Sequence, residues 1–247
     1  MLGDSHINKA PKKAIIIGAT SGIGCELARV LSRDGYTIGI TGRRRPLLEE
    51  LKLELGDNVF IQVLDVTQAT ASNDLADLIQ LMAGVDLVII SAGTGFVDPQ
   101  LPWQKERETI ETNVLGFAAV ANTAWHYFSK IGTGHLVGIS SVAAIRGGDA
   151  PAYNASKAFV SNYLQGLRCI AAKSGRSITV TEIQPGFVDT AMAQGEGLFW
   201  VSSPKKAATQ IYTAIKNRKK HAYVTRRWRL IGWALKLLPE AAYNKLS

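Results

Sequence analysis

Between residues 13 and 34 an apolar run breaks into three glycines and resumes at helical spacing. It reads Ile15-Ile16-Ile17-Gly18-Ala19-Thr20-Ser21-Gly22-Ile23-Gly24, followed by Leu27, Ala28, Val30 and Leu31. Few patterns restrict a fold as much, because this one specifies a strand, a tight turn and a helix in immediate succession. A turn without Cβ atoms lets backbone N–H groups and the positive end of the next helix approach a pyrophosphate closely. Three glycines alone prove little, and the surrounding strands and helices carry the reading. Apolar runs predict strands at 13–17, 36–41, 59–64, 86–91, 134–140, 177–184 and 221–225. Helical spacing predicts helices at 22–34, 46–55, 72–82, 104–130, 152–174 and 204–217. Such alternation predicts an α/β fold, a three-layer, doubly wound parallel sheet of about seven strands in a single domain. With 247 residues, 47% of them hydrophobic, the chain is long enough for one such domain and buries roughly 70–75% of its unfolded surface.

Tyr153-Asn154-Ala155-Ser156-Lys157 puts a phenol and an ammonium four residues apart on one helical face. Ser141 follows a Val-Gly-Ile-Ser-Ser strand end a short loop upstream. A phenol, an ammonium and a hydroxyl can therefore converge on one carbonyl. A lysine cation within a few ångströms would lower the tyrosine pKa by about 1–3 units from its reference of about 10. Taken alone, the pair also fits an exposed Tyr/Lys couple on an ordinary helix.

The spacing Gly18-x-x-x-Gly22-x-Gly24, with Asn113, Ser141, Tyr153 and Lys157 in that order, closely resembles the short-chain dehydrogenase/reductase family over about residues 13 to 225. The resemblance implies a Rossmann oxidoreductase that moves a hydride between a nicotinamide and a carbonyl or alcohol. It implies Tyr153 as general acid, Ser141 on the substrate oxygen, Lys157 on the nicotinamide ribose and Asn113 on a proton-relay water. Ser140 is a rival for the serine role; the family's Ser-Ser-x-Ala pattern favours Ser141. Gly18, Thr20, Ser21, Gly22, Ile23 and Gly24 would line the phosphates. Asp65 and Val66 resemble the pair that contacts adenine, and Ala92 and Gly93 follow the fourth strand. Pro185-Gly186-Phe187-Val188-Asp189-Thr190 resembles the segment beside the nicotinamide, with Pro185, Gly186, Val188 and Thr190 as contacts. Ser91 stands where the family usually has asparagine, and Ile17 replaces a common threonine.

Cofactor choice is read from the end of the second strand, Thr41-Gly42-Arg43-Arg44-Arg45, where no carboxylate stands. A ribose 2′-OH is usually met by Asp or Glu, whereas a 2′-phosphate calls for the planar fork of arginine. Arg43 and Arg44 thus favour NADP(H), with NAD(H) still possible, and Thr20 and Ser21 can add hydroxyls to the same phosphate. The alternative is that both arginines end the strand facing water.

The formal charge of +8 is unevenly spread: residues 205–247 carry 11 Lys or Arg against one acid, while residues 1–204 carry 17 against 19. Residues 1–11 read as a tail, 12–225 as the enzyme domain and 226–247 as a basic amphipathic extension. In 226–238, Leu230, Ile231, Ala234, Leu235, Leu237 and Leu238 are expected on one apolar face, with Arg229 and Lys236 opposite. Trp228 and Trp233 beside these bases suit an anionic membrane surface; a lid over the pocket or a subunit contact would use the same pattern. No recognition motif accompanies the charge, so nucleic-acid binding is not expected. By the resemblance, the loop near 191–203 closes over substrate, with Gly195 and Gly197 as hinges. Leu198, Phe199 and Trp200 would then face a lipophilic carbonyl, or they pack on the next helix.

Cys25 and Cys169 fall in separate helices, which fits buried thiols in a reducing compartment. Four scattered histidines lack ligand spacing, so no metal is expected. Without a secretory pattern or a membrane-spanning stretch, the chain is expected in the cytoplasm, with peripheral membrane contact possible. The reading is an NADP(H)-dependent carbonyl reductase or alcohol dehydrogenase, dimeric or tetrameric through the helices near 104–130 and 152–174. Its competitor is a dinucleotide-binding sensor or membrane-surface regulator with negligible turnover.

Overall fold

The computed structural model describes residues 11–190 and 199–243. Within them, seven strands form one parallel sheet in the order β3-β2-β1-β4-β5-β6-β7. The strands are β1 (Lys13–Ile17), β2 (Thr37–Gly42), β3 (Val59–Val63), β4 (Leu87–Ile90), β5 (Thr133–Ile139), β6 (Ser177–Pro185) and β7 (His221–Val224). Helices α1 (Gly22–Arg33), α2 (Arg45–Leu55), α3 (Ala71–Leu81), α4 (Trp103–Ile110), α5 (Phe117–Ile131), α6 (Pro151–Ser174) and α7 (Pro204–Lys216) connect them. Beyond β7 follow α8 (Trp228–Leu237) and the short α9 (Glu240–Tyr243).

Both faces of the sheet are covered, which explains why the inner strands are apolar without alternation. Successive side chains still point to opposite faces. Ile15 and Ile17 of β1 join Leu75 and Leu78 of α3, Phe117 and Val120 of α5 and Leu164 of α6 on one side. Ala14 and Ile16 join Leu27 and Leu31 of α1, Leu48 of α2 and Ile211 of α7 on the other. Fully burying each such Leu or Ile stabilises the fold by about 1.5–3 kcal/mol.

Three expectations change. Of the thiols expected to be buried, Cys25 is only half-buried and Cys169 is exposed on α6. The helix expected over 104–130 is interrupted by a π turn at Glu111–Gly116, and Asn113, buried within it, points its side chain toward the segment after β4. Such turns break the regular helical ladder and often mark functional positions. The apolar face expected on residues 226–238 is divided. Trp228 and Gly232 are buried and Ile231 and Leu235 half-buried against the domain, while Leu230, Trp233 and Leu237 stay 68%, 60% and 83% exposed. Backbone acceptors explain the docking. Arg146 donates to the Leu235 carbonyl at 2.8 Å and to that of Leu238, and Tyr243 donates to the Gly147 carbonyl at 2.5 Å.

Candidate active site

The strand order reverses between β1 and β4, and in open α/β sheets ligands lie outside the carboxyl ends of the strands at such a point. The glycine turn after β1 sits there. Gly18 has φ +89°, open to glycine but costly for other residues, and a Cβ on it would stand 2.6 Å from the Ala92 nitrogen. A Cβ on Gly24 would stand 2.0 Å from the Gly18 carbonyl oxygen. The turn is thus compressed against both the helix and the segment after β4, where Ser91 and Ala92 each donate to the Ile17 carbonyl at 2.8 Å.

The amino end of α1 has neither a side-chain cap bond from Ser21 nor an acid in its first turn, so its N–H groups face the turn as an anion site. Arg44 leans over the same end, donating to Thr20 Oγ1 at 2.8 Å and Ser21 Oγ at 3.3 Å. Arg43 is exposed, and Arg45 turns away to Glu49 at 2.8 Å. A cradle that Cβ atoms would fill, with an arginine and two hydroxyls at its lip, fits a phosphate-bearing dinucleotide.

Other residues expected at the cofactor gather around this turn. The Asp65 Oδ1 accepts from the Thr67 N–H at 3.0 Å and hydroxyl at 2.8 Å, fixing the turn after β3 that carries the buried Val66. Thr190 Cγ2 stands 3.1 Å from a Cβ built on Gly22, which brings the segment after β6 against α1. Val188 bridges Ser202, and the Gly186 N–H donates to the Val224 carbonyl at 2.6 Å. Pro185 ends β6.

The side chains expected to be reactive meet after β5. Ser141 starts a short 3-10 turn, accepting from the Ala143 N–H at 3.1 Å, and its hydroxyl lies near the Tyr153 phenol. Ser140 instead points into the protein, 2.8 Å from Ser161, which separates the two rival serines. Lys157, 5% exposed, lies 5.6 Å from the Tyr153 ring centroid and donates to the Ile139 carbonyl at 3.1 Å. Asn113 Nδ2 donates to the Thr94 carbonyl at 2.7 Å and to Ser156 Oγ at 2.9 Å. Its Oδ1 accepts from the Thr94 N–H at 2.9 Å, so its side chain is occupied by protein partners.

The electrostatics correct the expectation that the lysine depresses the tyrosine. Burial pushes the Tyr153 pKa up, and the nearby Ser141 hydroxyl only partly offsets this. Burial likewise lowers Lys157 to about 8. The ammonium is directed at the Ile139 carbonyl and lies beside the ring, so in the protein alone desolvation outweighs the attraction between the pair.

An aromatic cluster lies next to the segment after β6. Trp228 stacks on Phe199 with centroids 5.1 Å apart and meets Phe187 edge-on at 5.3 Å and Trp200 at 6.0 Å. A Cβ on Gly186 would stand 2.0 Å from the Trp228 ring. Phe199 and Trp200 are therefore brought together with Trp228, while Leu198, Gly195 and Gly197 lie outside the described residues. Sequence reasoning missed Thr94, Ser156 and Trp228 as site neighbours. Only Ser156, between Tyr153 and Lys157, carried a signal, being one turn from the phenol. Among the described residues no group of three or more His, Cys, Asp or Glu could hold a metal ion.

The parallel sheet with a glycine turn at its switch point puts the chain in the Rossmann class. It belongs to the short chain dehydrogenase family, matched over residues 12–198, and is an oxidoreductase of that family. An uncharacterized oxidoreductase of Myxococcus xanthus is 40% identical over 189 residues, 73% of this chain and 74% of that protein. A serine dehydrogenase solved in its closed form with NADP+ is 27% identical, with a TM-score of 0.76 over 82% of this chain and 88% of its own. A short-chain dehydrogenase from Sphingobium yanoikuyae, solved with NADPH, shares the fold at 22% identity, with a TM-score of 0.80 over 93% of this chain and 97% of its own.

Proposed function

We propose that this oxidoreductase reduces a lipophilic carbonyl compound, or oxidises the matching alcohol, with NADP(H). The observation that carries the reading is the buried Lys157 ammonium 5.6 Å from the Tyr153 ring, with the Ser141 hydroxyl near the same phenol. When bound, the cofactor supplies or accepts the hydride. Ser141 and Tyr153 donate to the substrate oxygen, stabilising the negative charge that develops there. Tyr153 then gives up its proton, so the carbonyl carbon gains a hydride, its oxygen gains a proton and an alcohol results. Such positioned proton transfer contributes about 10²–10⁴ in rate. Lys157 holds the nicotinamide ribose. Asn113 locks the Thr94 backbone and Ser156 under the site, leaving a water-holding role to its backbone carbonyl.

Preference for NADP(H) is supported by Arg44 beside Thr20 and Ser21, by the lack of a carboxylate at the end of β2 and by the NADP+ held in the serine dehydrogenase. The cluster of Phe187, Phe199, Trp200 and Trp228 supports a lipophilic substrate. Exposed Trp103 and Ile110 on α4 and Ile170 on α6 suit a homodimer or homotetramer built on those helices. We read residues 12–225 as the catalytic domain and 226–247 as an extension. Its outward stripe of Leu230, Trp233 and Leu237, among Arg226, Arg227, Arg229 and Lys236, suits peripheral contact with an anionic membrane.

The test is NADPH oxidation with a panel of aldehydes and ketones graded in apolar size. Turnover that rises with apolar size is expected. NADPH binding without turnover on any member would overturn the reading in favour of a dinucleotide sensor.

A further inference from the structure

A chain of buried and half-buried polar side chains runs from the floor of the site to the β7 edge of the sheet, and the roles above leave it unused. Glu182 on β6 is 4% exposed. Its Oε1 accepts from Ser161 and from Gln184 Nε2 at 2.9 Å, and Arg168 reaches its Oε2 at 3.5 Å. His221, on β7, lies 2.8 Å from Gln184 Oε1 through Nε2. A buried carboxylate is costly unless its lone pairs are met. An apolar residue would fill this position without that cost, so the arrangement calls for a purpose.

Proton counting gives one. An ionised carboxylate only accepts, so Ser161 uses its single proton on Glu182, and its oxygen is left to accept from Ser140 at 2.8 Å. Gln184 Nε2 donates to the same oxygen more weakly, at 3.3 Å, and Ser140 still prefers Ser161, since the Lys157 carbonyl is farther away, at 3.4 Å. Ser140 adjoins Ser141, and Ser161 lies one helical turn beyond Lys157 on α6. The end of β5 is therefore tied to α6 twice, by Ser140 to Ser161 and by Lys157 to the Ile139 carbonyl.

We infer that Glu182 is a positioning residue for the proposed carbonyl reduction, acting through Ser161 and Ser140 to hold Ser141 against Tyr153. The inference rests on the function proposed above. With the carboxylate gone, the Ser161 proton is free to turn, Ser140 loses its preferred arrangement and Ser141 is held less firmly near the phenol.

The test compares the full-length protein with Glu182→Gln, Ser161→Ala and Ser161→Thr. Two readouts are used, steady-state reduction and the ultraviolet titration of Tyr153 taken as a difference against Tyr153→Phe. Glu182→Gln and Ser161→Ala are expected to lower kcat about tenfold with KM for NADPH unchanged, the size of loss that a small misplacement of reacting groups produces. Tyr153 is expected to titrate at higher pH in both, because the nearby Ser141 hydroxyl opposes the upward push of burial on the phenol. Ser161→Thr, which keeps the hydroxyl, restores both readouts. The double variant is expected to lose no more than either single one, as members of one linked chain do. Unchanged kcat together with unchanged Tyr153 titration overturns the inference, even if thermal stability falls. Should the wild type reduce no carbonyl, the functional reading fails and the Tyr153 titration alone decides the positioning role. If Glu182→Gln does not fold, the Ser161 pair decides it.

Discussion

Gly95 lies against the face of Tyr153, so closely that a Cβ built on Gly95 would stand 2.3 Å from Tyr153 Cδ2. Only glycine leaves the phenol where Ser141 can reach it. Gly95→Ala is therefore expected to displace the ring and to lower kcat about tenfold or more, since a shift of about 1 Å in reacting groups can cost 10²-fold. The check is the double variant with Tyr153→Phe. If Gly95 acts through the phenol, the double loses no more kcat than Tyr153→Phe alone; additive losses would show another cause.

Tyr153→Phe retains the ring that packs on Gly95 and removes only the proton donor. A fall in kcat of about 10²–10⁴ is expected, with NADPH affinity by fluorescence titration unchanged. Retention of more than about a tenth of wild-type kcat is outside the range for acid catalysis and would end the assignment.

Arg44 and Arg43 separate by geometry, although they are neighbours in sequence. Both are exposed, but Arg44 leans over Thr20 and Ser21 at the amino end of α1, a contact that Arg43 does not make. Hydrogen bonds to a charged group contribute about 1.5–3 kcal/mol, so Arg44→Ala is expected to weaken NADPH binding about ten- to a hundredfold while NADH binding changes little. Arg43→Ala should have the smaller effect. Equal losses for the two cofactors in Arg44→Ala would mean that its guanidinium serves no 2′-phosphate.

Lys157 makes a pH prediction whose sign follows from its burial. In the folded protein its pKa is lowered from 10.5 to about 8. Between those values the unfolded chain binds more protons, so stability rises with pH across that window, and below it the full cost of burying the cation is present. At about 1.4 kcal/mol per unit the cost is on the order of 3 kcal/mol, of which about 1 kcal/mol is offset by the bond to Ile139. Cofactor-free Lys157→Met is therefore expected to melt roughly 4–8 °C above wild type at neutral pH, with the gap closing as pH rises toward 10.5. A pH-independent gap measured by calorimetry would refute the charged, buried lysine.

Much of this architecture was legible in the chain because its signals are local. The β1–turn–α1 unit is specified by apolar spacing and three glycines within a few residues, and the Tyr153–Lys157 pair by one helical turn. What escaped depends on distance in sequence. Gly95 matters through a ring 58 positions later, and Trp228 through Gly186, contacts that no periodicity reports. The π turn around Asn113 accompanies three hydrogen bonds linking its side chain to Thr94 and Ser156, and helical spacing alone reads straight through it. The Tyr153 pKa was misread because spacing reveals the nearby lysine but not how thoroughly both groups are removed from water.

The division of the 226–238 face bears on what the extension does. A simple lid would bury its apolar residues, yet Leu230, Trp233 and Leu237 face outward, spaced by three or four residues along one side of α8. Arg229 lies over the Trp233 ring, 5.6 Å from its centroid, and no acid occurs from Phe199 to Pro239. Among the described residues no helix is long and apolar enough to cross a membrane, so any lipid contact is interfacial. Each basic residue near an anionic leaflet contributes about 1 kcal/mol, fading within a Debye length. The protein is expected to sediment with phosphatidylglycerol-containing vesicles at low salt, to release as salt rises and to ignore pure phosphatidylcholine. Replacing Leu230, Trp233 and Leu237 together with serine should abolish sedimentation while leaving the melting temperature nearly unchanged, because these side chains bury little. Wild-type protein that stays in the supernatant at low salt would exclude the membrane contact. If the stripe is instead a subunit contact, the serine variant will show a lower mass by light scattering.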